Sequence, residues 1–212
     1  MAWIMFSSEP LRRNASRLLS CVTLSVSAGL LTALSSSPLR AQETLQSCYE
    51  ATLIASGDKA IDVCGKLLVS DMPPGHDLAV VLNNRGLGYL KNSEIDTDPD
   101  KIDEDLDNAI DYFERSIAME PNYVFAYDNR GDAYRRKQNN TQALADYAKA
   151  IELDPTFASA YLGRGKVYEA MNDHDHARAE YKSALAQTGD RPIDKWARGE
   201  AQQRLDRIDA PQ

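Results

Sequence analysis

Histidine, tryptophan and cysteine are scarce in this chain of 212 residues, at three, two and three respectively. His174 and His176 share one turn, and His76 follows Pro73-Pro74-Gly75 in what reads as a loop. No His/Cys set has metal-ligand spacing, no glycine-rich segment has the spacing of a phosphate loop, and no serine sits in a strand-to-helix elbow. Those gaps leave no catalytic constellation and call for no cofactor; an enzyme is the least favoured class. Positive charge is also short: 24 Lys and Arg stand against 32 Asp and Glu, a net charge of −8. So acidic a chain has no general attraction for nucleic acid or an anionic membrane surface.

Long apolar runs are absent except near the N-terminus. Arg12, Arg13 and Arg17 precede an uncharged stretch from Leu18 to Leu34, which Ser35-Ser36-Ser37-Pro38 breaks before Ala41. That order is the pattern of an export signal over 1–41. The alternative is an uncleaved anchor, but the stretch counts 17 residues with three serines, and a spanning helix wants about 20 mostly apolar ones. Removing 41 residues leaves 171, of one-domain size, with 20 basic against 31 acidic residues. Periplasmic or secreted placement in a bacterium follows, with no stable membrane insertion once the signal is gone. Cys48 and Cys64 then remain, an even pair in an oxidising compartment; two buried thiols are the alternative.

Three segments repeat: Asn84-Arg85-Gly86-Leu87-Gly88-Tyr89, Asn129-Arg130-Gly131-Asp132-Ala133-Tyr134 and Gly163-Arg164-Gly165-Lys166-Val167-Tyr168. The last two Arg-Gly pairs are 34 residues apart, and Ala143, Tyr147, Ala150 and Pro155 recur at the same step as Ala177, Tyr181, Ala184 and Gly189. A period of this length marks a stacked repeat. The pattern resembles the tetratricopeptide repeat family: an aromatic, then Leu-Gly, Tyr, Ala, an aromatic, Ala and Pro. Here Arg replaces Leu before each glycine.

The resemblance implies an all-α solenoid of stacked antiparallel helix pairs. Its units are a degenerate pair over 42–76, repeats over 77–123, 124–157 and 158–191, and a capping helix over 192–212. Gly86, Gly131 and Gly165 are expected where the helices cross, opposite Ala109, Ala143 and Ala177. Tyr89, Tyr134 and Tyr168, with Tyr147 and Tyr181, are expected to fill the core. Asn139-Asn140-Thr141 and Asp173-His174-Asp175 supply turn and N-cap chemistry. Counting back by the same spacing puts Cys48 and Cys64 at facing positions of two antiparallel helices, within reach of a disulfide.

In the first repeat Tyr89 to Ala109 spans 20 residues, against nine in the others. The eleven extra residues are expected in the turn near 93–103. The acids there, Asp96, Asp98, Asp100 and Asp107, have a faint calcium-loop spacing, but Lys101 stands where the sharp turn needs glycine. A solvated acidic loop is the plainer reading, and a calcium- or metal-responsive protein the alternative function. For the family, the implied function is binding of a protein or peptide on a concave face. Asn84 and Asn129 match the family's backbone-gripping asparagine, and Phe125, Asp128, Asp132, Arg135, Lys166 and Glu169 are expected to line the same face.

Overall fold

The computed structural model describes residues 38–68 and 74–210, and all regular structure among them is helical. The helices are α1 (Pro38–Ile54), α2 (Gly57–Leu68), α3 (His76–Ile95), α4 (Pro99–Met119), α5 (Val124–Arg136), α6 (Asn140–Leu153), α7 (Ala158–Ala170), α8 (His174–Ala186) and α9 (Pro192–Ile208). Most of the expected leader, residues 1–37, lies outside the described residues. α1 begins at Pro38, ahead of the expected boundary at 41/42. No described helix is long and apolar enough to cross a membrane.

Consecutive helices pair into hairpins because their turns are short and capped. Asn139 accepts a hydrogen bond from the Gln142 amide, and Asp173 accepts one from the His176 amide at 3.2 Å. These bonds satisfy amides that a helix start leaves free. Gln138 and Asn172 take positive φ, 58° and 60°, which reverses the chain in three residues. α6 stops at Leu153, two residues before Pro155.

Glycine admits the packing between paired helices, though its neighbour differs from expectation. A methyl group at Gly86 would stand 2.7 Å from the Phe113 ring, and one at Gly131 would stand 3.0 Å from the Tyr147 ring. At Gly165 it would overlap the ring of Tyr181. The closest atoms therefore belong to the aromatic four residues past each alanine, because a flat ring reaches farther across the crossing than a methyl group. Ala109, Ala143 and Ala177 are themselves fully buried. Tyr147 is held from two sides: Gly163, at the start of the third copy, also lacks the side chain that would collide with it. Gly163 thus stands where the other copies carry asparagine because a neighbouring ring fills the space.

The first repeat corrects the expected loop. α3 continues four residues past the point where α5 ends, and α4 starts seven residues earlier than α6 does. The connector stays at three residues, 96–98. The insertion lengthens the hairpin instead of bulging from it. Pro99 sits in the first turn of α4, where its fixed φ suits a helix start. Lys137 ties the extension back to α5, meeting Asp103 at 2.8 Å and Asp107 at 2.5 Å.

At the N-terminal end, Cys48 of α1 and Cys64 of α2 form a disulfide with Cα atoms 4.9 Å apart, fully buried beside Leu67 and Val81. Lys91 of α3 donates to the carbonyl oxygens of Thr52 and Ala55 at the end of α1, where a cation suits the helix dipole. At the other end α9 buries Ala197, Ala201 and Leu205 against α7 and α8. Asp194, fully buried, accepts from the Ala158 amide at 3.1 Å and from Arg191 at 2.6 Å, locking α9 to the start of α7.

Helix contacts set the curvature. α3 touches α5, α5 touches α7, and α7 touches α9. Their partners α4 and α6 do not touch each other, nor do α6 and α8. The stack is therefore close-packed on the side of α3, α5, α7 and α9 and splayed on the other.

Candidate functional site

The close-packed side carries the chemistry. Across the seam between α3 and α5, Asn129 donates to the Asn83 side-chain oxygen at 2.9 Å. Between α5 and α7, the Ser159 hydroxyl donates to Asp128 Oδ2 at 2.9 Å. Asp132 accepts from Arg135 at 3.0 and 2.9 Å and from the Tyr147 hydroxyl at 2.9 Å. Farther along, Glu169 accepts from Arg204 at 2.8 Å and from the Tyr181 hydroxyl, while Arg204 also donates to Glu200 at 2.8 Å. Lys166 Nζ lies 5.2 Å from the centre of the Trp196 ring, within cation–π range.

The eight residues expected on this face are thus placed unequally. Asp128, Asp132, Arg135 and Lys166 interact as one charged group. Glu169 joins Arg204 of α9 instead. Asn129 remains half-buried and paired, but Asn84 is buried and its Nδ2 has no partner. Phe125 packs edge-on against Phe157, centroids 5.3 Å apart, inside the junction between repeats. Five residues of this face lie outside the expected set: Asn83, Ser159, Glu200, Arg204 and Trp196. Only Trp196 carried a local signal. It stands one position off the buried stripe Ala197-Ala201-Leu205, and it is 47% exposed.

Burial and charge set the protonation of this group. Burial pushes the Asp128 carboxyl up to about 7, and the neighbouring negative charge of Asp132 adds to the effect. Burial also raises Asp132, but the positive charges of Arg135 and Lys166 outweigh it and hold that carboxyl below its usual range. Lys166 is lowered by burial, against the pull of Asp132. Two carboxylates one helical turn apart are therefore driven in opposite directions, and one oxygen of Asp128 is buried without a hydrogen-bond partner.

The acidic segment caps the start of α4. Asp96 accepts from the Thr97 and Asp98 amides at 2.8 and 3.0 Å, which holds its carboxyl low. Asp98 caps α4 by accepting from the Asp100 amide at 3.1 Å. Asp100 lies in the first turn of α4 and Asp107 pairs with Lys137, so only the second half of the calcium-loop spacing is wound into a helix. No group of three or more potential metal ligands occurs among the described residues. His76 is the first residue of α3, not a loop residue, and its Nδ1 lies 2.6 Å from Glu120. His176 turns back onto Asp173 at 2.7 Å and stacks on Tyr168.

Comparison with known proteins agrees with this geometry. Residues 131–172 match a family model described as TPR repeat, and residues 158–188 match one described as tetratricopeptide repeat. The tetratricopeptide repeat domain-containing protein PYG7, chloroplastic, of Arabidopsis thaliana is 35% identical over 68 residues. That match covers 32% of this chain and 19% of the relative, so the chain spans about a fifth of its length. Among solved structures, TTC0263, a thermophilic TPR protein of Thermus thermophilus, superimposes with a TM-score of 0.65 at 18% identity, over 79% of this chain and 84% of that one. MamA superimposes with a TM-score of 0.54 at 27% identity, over 71% and 79%. Residues 131–188 carry tetratricopeptide repeats, and the described residues fold as an all-α solenoid like that of known TPR structures.

Proposed function

We propose that this protein is an exported scaffold that holds a segment of a partner protein across the face lined by α3, α5, α7 and α9. Tetratricopeptide repeats serve protein–protein interaction. The observation that carries the reading is the continuous band of polar side chains over three helix seams, ending on half-exposed Trp196. Such a band supplies donors and acceptors together, as a peptide backbone requires, and an aromatic anchor of the kind that dominates binding energy. The export-signal pattern read in the sequence over 1–41 and the buried disulfide support action in the periplasm or outside the cell.

The test replaces Asn129 with alanine and Trp196 with alanine together, and compares capture of partners from periplasmic extract. Loss of at least one specific partner by the double variant, with an unchanged melting temperature, is the expected result. Equal recovery of every partner removes this face from the function. Amino-terminal sequencing of the mature protein checks export: an intact Met1 contradicts it.

A further inference from the structure

We propose that the opposite, splayed side carries a second docking point, at Arg85, which takes an acidic side chain from a partner protein. The inference does not rest on the face described above. It follows from comparing the arginine that precedes the crossing glycine in each repeat.

In the second repeat Arg130 donates to Asp146 through two bonds of 2.8 and 2.7 Å, and Glu114 lies 3.7 Å away on its other side. In the third, Arg164 donates to Glu180 at 2.8 Å. Asp146 and Glu180 each stand one residue before the packing tyrosine; Glu114 stands one residue after Phe113. In the first repeat both positions have lost their acid. Tyr112 precedes Phe113, and Gly65 follows Cys64, the residue that takes the aromatic's place in α2. No carboxylate among the described residues lies within 4.0 Å of Arg85.

The guanidinium is nonetheless held in place. It lies 4.8 Å from the centre of the Tyr112 ring, and a methyl group on Gly65 would stand 3.0 Å from its Nη1. Its Nε is buried without a partner. It lines an open cleft of about 470 Å³ together with Asp58, Ile61, Asp62, Gly65 and Lys66. The two acids of that cleft already have donors: Asp62 meets Lys66 at 2.6 Å and Asp58 accepts from Asn92 at 2.8 Å. A fork-shaped donor, pre-positioned by stacking and opening on a cleft, matches a planar carboxylate. The two sister repeats show the kind that fits, a Glu or Asp side chain presented from a helix.

The probe is a fluorescein-labelled helical peptide with glutamates at four-residue spacing, and its glutamine counterpart, read by fluorescence anisotropy. The wild-type protein should bind the Glu peptide about tenfold more tightly than the Gln peptide, the size of one charge-assisted bond. Arg85→Gln should remove the preference, and Arg85→Lys should lose most of it because the fork is gone. Tyr112→Glu, which restores the internal acid, should abolish it. Lys182→Gln, which deletes the same charge on exposed α8, should leave it intact. The proposal fails if the two peptides bind alike, or if Lys182→Gln weakens binding as much as Arg85→Gln. It also fails if inorganic phosphate displaces the peptide at equal concentration, since the site would then be one for small anions.

Discussion

The first complete hairpin and the two that follow share one crossing and secure it by different means. In α3/α4 the ring at the crossing is Phe113, enclosed by Leu90, Leu106, Ile110 and Ala133, and the helices are simply longer. In α5/α6 and α7/α8 the rings are Tyr147 and Tyr181, and each hydroxyl reaches a carboxylate on the close-packed side, Asp132 or Glu169. The first hairpin is held by apolar area and by the buried Ser116 hydroxyl on the Ala79 carbonyl at 2.7 Å, the later two by area plus a polar strut that joins the core to the exposed face. In the later repeats a disturbance of the face is therefore expected to reach the packing through that strut.

The comparison breaks most visibly when the ring itself is removed. Tyr147→Ala opens a cavity between Gly131 and Gly163 and removes one of the donors to Asp132, and should cost about 3–5 kcal/mol in denaturant unfolding. Phe113→Ala should fall in the same range, since area dominates both crossings. A cost at Phe113 far below that at Tyr147 would mean the long first hairpin does not depend on its ring.

Next in size is the disulfide, which closes a sequence separation of 16 between α1 and α2. Replacing both cysteines with alanine should cost about 3 kcal/mol by the chain-entropy argument. The loss should be local: amide exchange should accelerate in α1 and α2 while α5 to α9 keep their protection. Uniform acceleration along the chain would show that the terminal pair is not a separate unit.

Much of this arrangement was legible beforehand, and the misreadings have physical causes. Helix identity, the caps at Asn139 and Asp173, the stop before Pro155 and the Cys48–Cys64 pairing depend on local chemistry or on the repeat spacing, and both are written along the chain. The placement of eleven extra residues is not. A spacing measured between landmarks cannot separate a bulged turn from two longer helices, and a proline inside that span, Pro99, is as much at home in a first helical turn as in a loop. The face was read in part. Its positions recur 34 residues apart in the second and third repeats, but its partners, such as Asp128 with Ser159 or Glu169 with Arg204, come from different repeats or the final helix, whose surface residues do not recur. Nothing local announces them.

Protonation sharpens the comparison further. Asn83 in α3 and Asp128 in α5 both stand three residues before the crossing glycine. Each accepts a hydrogen bond from the next helix, but only the aspartate titrates. Its folded-state value of about 7 lies above the ordinary 3.8. Between those values the unfolded chain ionises while the folded one stays protonated. Stability from this residue is thus complete below the lower value and declines as pH rises toward the upper one. Asp128→Asn makes α5 resemble α3 and keeps an acceptor for Ser159. Its stability relative to wild type should improve by on the order of 2 kcal/mol between about pH 5 and pH 8, measured by thermal melts of both proteins. Parallel pH profiles would place the carboxyl of Asp128 in contact with water.

The smallest effect isolates the strut. Tyr147→Phe deletes only the hydroxyl, and Asp132 keeps its two bonds from Arg135; the expected cost is about 1 kcal/mol, near the net value of a hydrogen bond. The reverse exchange, Phe113→Tyr, should not return that energy. The position matching Asp132 in the first repeat is Leu87, which packs with the same apolar cluster, so the new hydroxyl meets hydrocarbon and should destabilise by about 1–3 kcal/mol. Adding Leu87→Asp to Phe113→Tyr supplies the acceptor. If the strut is a pairwise device, the double variant should be more stable than the sum of its single changes by about 1 kcal/mol in a double-mutant cycle. A cycle that closes to zero would mean that Tyr147 is fixed by Gly131 and Gly163 alone, and that the hydroxyl follows where the glycines put the ring.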